Sequence, residues 1–391
     1  MRSGLTLLGI IIGVSTVIAV ISIVNGMNDY VAEKIAVMGP GVFFVEKFGI
    51  VRGREDWLKR MRWKNLSINE YEALSKQMME AEAVAAMLSR SRRITYKDLY
   101  ISSTSVRGAT ANYLSVSEIA VEDGRFFTEF EEQRRAHIVV IGSDIKKALF
   151  EDVDPIDKII DIGGVKYKII GVFETAGSVL GNSQDNFVVI PLKTYLVYYS
   201  GLYRRSSWTI GIKIKDPDRM FEAQEEARSI LRRVRKIPSN KEDDFSFISP
   251  EAVMNFFEEF SGIAFIVLIG ISSISLVVGG IVIMNIMLVS VTERTKEIGI
   301  RKAIGAKRGD ILMQFLIESV LLSLFGGLAG VIAGYLLSQA VAHFSPLPSA
   351  VKPWTVFLGV AVASSVGLFF GIYPAWKASK LDPIIALSYE H

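Results

Sequence analysis

Three histidines and no cysteine are spread through the 391 residues. His137, His343 and His391 stand too far apart to supply a metal-ligand set of the usual close spacing, so no metal cluster is expected. Nucleotide chemistry is equally hard to place. No GxxxxGKS or GxxxxGKT loop occurs, and the glycines and basic residues at 299–302 and 305–307 lack both its spacing and the strand that precedes it. A GxSxG or comparable nucleophile setting is also missing, and neither catalysis nor ATP hydrolysis is expected within this chain.

The segment that draws attention is 293–310, ERTKEIGIRKAIGAKRGD. Ile300, Ala303 and Ile304 share one helical face, while Glu293, Lys296, Glu297 and Arg301 offer charge pairs three and four residues apart. The pattern predicts a short amphipathic helix at a membrane surface that presents charges to a partner. The alternative is an ordinary basic loop on the cytoplasmic side. Just beyond it, Glu318 lies two turns into an apolar run, where a carboxylate costs up to a few kcal/mol unless paired or hydrated. A basic residue of the preceding loop or snorkelling to the interface is expected to accommodate it, ahead of a proton-relay role. Asn285 is expected to make a hydrogen bond between helices. Glycines recur at four-residue spacing, Gly9 and Gly13, then Gly326, Gly330 and Gly334, then Gly367 and Gly371, which gives faces for close helix packing.

The elements that must carry these residues follow from charge and hydropathy. Half of the chain is hydrophobic and its mean hydropathy is +0.35, too apolar for a purely soluble enzyme. Residues 3–28 carry no charge, and about 20 apolar residues cross a bilayer core. A cleaved signal peptide would have a shorter apolar core. Uncharged runs at 260–292, 319–342 and 353–376 give three more spans. The expected division is spans at 1–27, 260–292, 311–342 and 353–376, a cytoplasmic helix within 293–310, an outer loop at 343–352 and a tail at 377–391. Six basic residues lie in 293–310 and a single lysine in 343–352, which places both termini in the cytoplasm and 28–259 outside, in a multi-pass inner-membrane protein. The 33 uncharged positions of the second span make a helix of roughly 50 Å, longer than a hydrocarbon core of about 30 Å. Continued back through 250–260, it forms a stalk with a helix over 28–38. A break near Ser272-Ser273 or Gly279-Gly280 is the alternative.

Residues 27–260 contain 34 basic and 35 acidic side chains and read as a solvated domain. Strand-like runs at 42–45, 83–89 and 100–106 enclose a helix at 68–79. A second group follows at 137–141, 158–162, 165–173 and 187–190, with a hairpin turn at Gly163-Gly164. Strands at 208–215 and 244–248 then enclose a helix from Pro217 to about Arg235. The repeated strand, helix, strand order predicts two neighbouring α+β lobes, about 39–114 and 206–250, with a β-rich insertion at about 115–205. The fold class expected is a four-helix, 1+3 membrane protein with a large α+β outer domain.

The stretch VSVTERTKEIGIRKAIGAKRGDILMQFLIESVLLSLFGGLAG closely resembles the hallmark segment of MacB/FtsX-type ABC transporter permeases. RSGLTLLGIIIGV near the start and GIYPAWKASKLDPIIALSYE near the end are similar to that family too, and QDNFVVIPL resembles its MacB-like outer domains. The likeness covers the whole chain. It implies an ATPase-coupling helix built from Glu293, Arg294, Thr295, Lys296, Glu297, Ile298, Gly299, Ile300, Arg301, Lys302, Ala303, Gly305 and Ala306. This helix would dock on a separate ABC ATPase subunit, which would hold the ATP and Mg. A homodimer or paired heterodimer in membrane lipid is also implied, with no nucleic-acid partner, together with porter-like lobes and a sabre-like insertion. Family members with a fused ATPase place it before the first span, and relatives usually have an amphipathic helix ahead of RSGLT, whereas this chain begins at Met1-Arg2. The implied work is export of a drug, peptide or lipid-like substrate, with a periplasmic adaptor and an outer-membrane protein as further partners. Four spans with few charges offer no evident hydrophilic path, which favours force transmission. The alternatives are lipoprotein release and an FtsX-like scaffold for a cell-wall hydrolase, although FtsX-like outer domains are usually much smaller.

Overall fold

The computed structural model describes residues 2–36, 39–117, 119–151, 153–179, 181–199, 207–345 and 347–387. Met1, the end of the expected stalk at 37–38, the boundary of the insertion at 200–206 and the end of the tail with His391 lie outside the described residues. The chain forms two units, residues 1–31 with 257–391, and residues 32–256. It opens with α1 (Arg2–Ala36).

Residues 32–256 are organised by one ten-stranded sheet. Its members are β1 (Val42–Glu46), β2 (Ala81–Tyr96), β3 (Leu99–Ala109), β4 (Val121–Gly124), β5 (Ile138–Ile141), β6 (Ile159–Ile162) and β7 (Val165–Phe173). After the small hairpin of β8 (Ser178–Val179) and β9 (Asn182–Ser183) come β10 (Phe187–Pro191), β11 (Thr209–Ile214) and β12 (Ser246–Ile248). The spatial order is β12-β1-β11-β2-β3-β10-β5-β7-β4, with β6 paired to both β2 and β7. The helices are α2 (Arg54–Met61), α3 (Ile68–Gln77), α4 (Tyr113–Ser117), α5 (Glu129–Gln133), α6 (Ser143–Phe150), α7 (Leu192–Tyr198) and α8 (Met220–Arg235).

The two stretches read from sequence as neighbouring lobes contribute strands to the same sheet. β11 lies between β1 and β2, antiparallel to both, with Ile212 opposite Phe43 on one side and Val84 on the other. β12 closes the edge beyond β1. The middle of the chain adds to the same sheet, because β10 runs parallel to β3 and antiparallel to β5. All five residues of β10, FVVIP, are buried, as expected of a strand covered on both faces. β2 and β3 also run further than their apolar alternation indicates. The polar run Arg90 to Tyr96 continues as ladder-bonded hairpin to a tip at Lys97-Asp98, with Lys97 at φ 51.

A shared core binds these pieces, with Phe43, Leu74, Ile94, Tyr167, Trp208 and Leu231 in one cluster. Beneath it lies an ionic lock with no apolar signature in the sequence. Arg235, its side chain 2% exposed, donates to Glu70 at 2.7 Å, to both carboxylate oxygens of Asp244 at 2.6 and 2.8 Å, and to the Lys64 carbonyl. Glu70 also closes the capping box of α3 with Ser67. The lock thus joins the end of α8 to the start of α3.

A second box caps α5, where Glu131 bonds back to Thr128 and pairs with Arg125 through both guanidinium nitrogens. The bonded Arg125 holds the Glu131 carboxyl down at about 2. A depressed folded-state value stabilises above the ordinary carboxylate range and is lost as pH falls toward 2. Glu131→Gln is expected to lower the thermal midpoint at neutral pH and leave it unchanged at pH ~2. A pH series of unfolding scans on both proteins measures this.

The other unit contains α9 (Pro250–Glu293, from Phe257 on), α10 (Thr295–Ala303), α11 (Arg308–Phe344), α12 (Pro353–Ser379) and α13 (Pro383–Leu387). Among the described residues, four helices are long and apolar enough to cross a membrane, over Leu8–Ala32, Pro250–Glu293, Arg308–Phe344 and Pro353–Ser379. The second is a single helix of 44 residues, roughly 66 Å at about 1.5 Å per residue. Neither Ser272-Ser273 nor Gly279-Gly280 interrupts it. Gly279 is instead a crossing point, where an added Cβ would lie 3.0 Å from the Gly9 backbone of α1. Gly280 receives the ring of Phe370 from α12.

Candidate functional site

The segment singled out by its sequence becomes α10, separated from α9 by one turn at Arg294. Thr295 closes that turn by donating to the carbonyls of Val291 and Thr292 at 3.0 and 2.9 Å. Thr295, Ile298 and Gly299 face inward, and Ile298 joins a cluster with Ile311, Phe315, Ala375 and Ala378. Half-buried Ala306 packs on the same cluster.

Of the charged side chains in 293–310, Arg294, Glu297, Arg301 and Lys302 are half-buried and bond within the chain, whereas Glu293, Lys296, Lys307, Arg308 and Asp310 are exposed. Arg294 donates to Glu297 at 3.2 Å and to both oxygens of Glu318 at 3.3 and 3.2 Å. Glu318 thus finds its cation in the preceding loop. Arg301 reaches Glu297 at 2.6 Å and the Gln314 side chain at 2.9 Å. Lys302 donates to the carbonyls of Ser379 and Leu381 at 2.6 and 2.7 Å, and burial, reinforced by Arg308, lowers its amine below the ordinary lysine value. These side chains fasten α10 to α11 and to the end of α12. The physical reason is that α10 is nine residues long, too short to hold its place without tertiary contacts.

The outward surface consists of Glu293, Lys296, Ile300, Ala303, Ile304 and Gly305. Ile304 is 82% exposed and Ile300 49%. Gly305 turns the chain at φ +107, a conformation that other residues rarely adopt. Fully burying an isoleucine side chain is worth about 1.5–3 kcal/mol, so these two offer a partner a substantial apolar contact.

The packing glycines occupy helix crossings. Besides Gly9 at Gly279, Gly13 meets Leu276, Gly330 meets Val14, and Gly334 meets Ile18 and the Ser15 carbonyl. Gly367 meets Ser323, Gly371 meets Ser319, and Gly326 is buried. Sequence reading missed Gly279, Gly327 and Gly359, which make equally close approaches but lie outside the repeats it followed. It also missed Gln314 and the tie made by Lys302. Asn285 departs from expectation. Its side chain is exposed on α9, and among the described residues it makes no hydrogen bond.

The MacB-like periplasmic core domain family matches residues 3–230, and the FtsX-like permease C-terminal family matches residues 269–383. The chain belongs to the MacB/FtsX-type permease family. This permease is 34% identical over 390 residues to the macrolide export ATP-binding/permease protein MacB of Bdellovibrio bacteriovorus, covering 100% of this chain and 59% of that protein. It is 36% identical over 392 residues to the protein of the same name from Neisseria gonorrhoeae, with the same coverage. The chain therefore spans about three-fifths of the length of the curated relatives it matches. Among solved structures, the periplasmic region of MacB from Actinobacillus actinomycetemcomitans is similar with a TM-score of 0.48 and 22% identity, over 58% of this chain and 97% of that one. MacB/FtsX-type permeases work with ABC ATPase partners.

Proposed function

We propose that this chain is the permease subunit of an ABC transporter in which a separate ATPase, holding ATP and Mg, docks on α10 and drives motion of the outer domain. The observation that carries the reading is the combination at α10 of a fastened inner face and an exposed isoleucine edge. A docking element needs both, because force applied to a loosely held helix is lost in its own movement. The uninterrupted 44-residue α9 supports transmission, since it runs from the last strand of the outer domain to the turn before α10.

In this reading both termini and α10 lie in the cytoplasm and residues 28–259 outside. The strands within 39–114 and 206–250 form the porter-like part, and those within 115–205 the sabre-like part. The working unit is a homodimer, and its work is expulsion of a drug, peptide or lipid-like substrate together with a periplasmic adaptor and an outer-membrane protein. The membrane route offers few charges, and those near α10 are spent on ion pairs. Spin labels on the outer domains of a reconstituted permease–ATPase complex test the mechanism. The expected result is a distance distribution that changes between ATP-bound and nucleotide-free states, and identical distributions would overturn it.

A further inference from the structure

The turn between α12 and α13 is tied to α10 by the Lys302 side chain. Its two acceptors, the carbonyls of Ser379 and Leu381, lie in the last turn of α12 and the linker beyond it. A helix end leaves such carbonyls without intrahelical partners, and an ammonium group placed there also suits the negative end of the helix dipole. The linker then sets up α13. The Asp382 carboxylate accepts the Ile384 N–H at 2.9 Å, and Pro383 occupies the first helical position. α13 packs against α10, with Ala386 1% exposed. Its two isoleucines are exposed, Ile384 by 79% and Ile385 by 64%. A five-residue helix has no stability of its own in water, so these contacts determine where it sits.

We propose that α13 forms the second half of the ATPase seat, and that Lys302 is the positioning residue that holds it in register with α10. The inference rests on the reading of α10 as the docking element and extends it to a second helix. Continuity supports it, because the exposed isoleucines of α13 belong to a helix packed directly on the one that carries Ile300 and Ile304. Charge supports it too. Around α10 and before α13, Lys296, Lys307, Arg308 and Lys380 are exposed and outnumber the exposed carboxylates Glu293, Asp310 and Asp382, which leaves the surroundings of the apolar surface net positive. The matching partner is a nucleotide-binding subunit with an apolar groove edged by carboxylates. A rigid protein partner gains from two helices fixed in register by a half-buried lysine that bonds two carbonyls. A lipid surface, which adapts to any register, does not.

The test uses the full permease in nanodiscs with its ATPase subunit, comparing Ile304→Asp, Ile384→Asp, Lys302→Met and Lys302→Arg. Ile384→Asp is expected to weaken ATPase binding about tenfold, as truncation at a buried interface centre commonly does. Lys302→Met is expected to match that loss and to speed amide exchange over 383–387, with Lys302→Arg restoring both. If Ile304→Asp weakens binding while Ile384→Asp and Lys302→Met bind as wild type, the second half of the seat is overturned and the docking role of α10 stands. If no variant weakens binding, the docking reading falls and this inference falls with it. If Ile384→Asp impairs only retention in ATPase-free vesicles, α13 is a lipid contact and the proposal is wrong.

Discussion

Replacing Ile300 and Ile304 together by aspartate is expected to weaken the hold on the ATPase by about 100-fold and to abolish coupled ATP turnover. Each exposed isoleucine, once covered by a partner, contributes on the order of 1.5–3 kcal/mol, and about 2.7 kcal/mol is already a factor of 100. The substituted carboxylates add a desolvation cost on binding. The fold itself should be untouched, because both side chains project from α10 while its inner face is held by Ile298, Glu297 and Arg301. Size exclusion of the variant with and without the ATPase, beside its thermal midpoint, separates the two effects. A variant that still binds and stimulates the ATPase contradicts the account.

Gly334→Leu is expected to disrupt the helix bundle. A Cβ at this position would stand 2.9 Å from the Ser15 carbonyl oxygen and 2.8 Å from the Ile18 Cβ, so α1 and α11 would have to separate. Moderate overpacking costs about 1–3 kcal/mol, and a leucine set against backbone exceeds that range. Loss of monodisperse protein in detergent and rapid proteolysis of the bundle are the expected readouts. Gly262→Leu and Gly270→Leu are the controls, since nothing lies within 4 Å of a Cβ at either position, and both are expected to leave the thermal midpoint of the chain unchanged.

What sequence could reveal here followed from periodicity and charge. The runs at 42–45, 165–173 and 187–190 alternate or are wholly apolar, and each is a strand in the structure. Sheet order was not legible, because pairing β11 between β1 and β2 is a long-range choice that leaves each strand's own pattern unchanged. The Arg235 lock escaped notice for a similar reason. Glu70, Arg235 and Asp244 look like ordinary surface charges until α3 and α8 are packed together. At α10 the short helix that the spacing predicts is present. Glu297 and Arg301 form the pair that their four-residue spacing predicts, and Arg301 also donates to Gln314 across the turn, a contact that the spacing does not show. Ile300 and Ile304, read from the spacing as one apolar face at a membrane surface, are exposed.

The absence of cysteine makes the most direct test simple to build. Ile304→Cys, the single thiol in the permease, is labelled with a short photo-crosslinker and reconstituted with the ATPase subunit. The account predicts a covalent adduct with the ATPase in high yield, and none from the same label at exposed Ile266 of α9. Equal labelling from both positions, or crosslinks from position 304 to lipid alone, would contradict it.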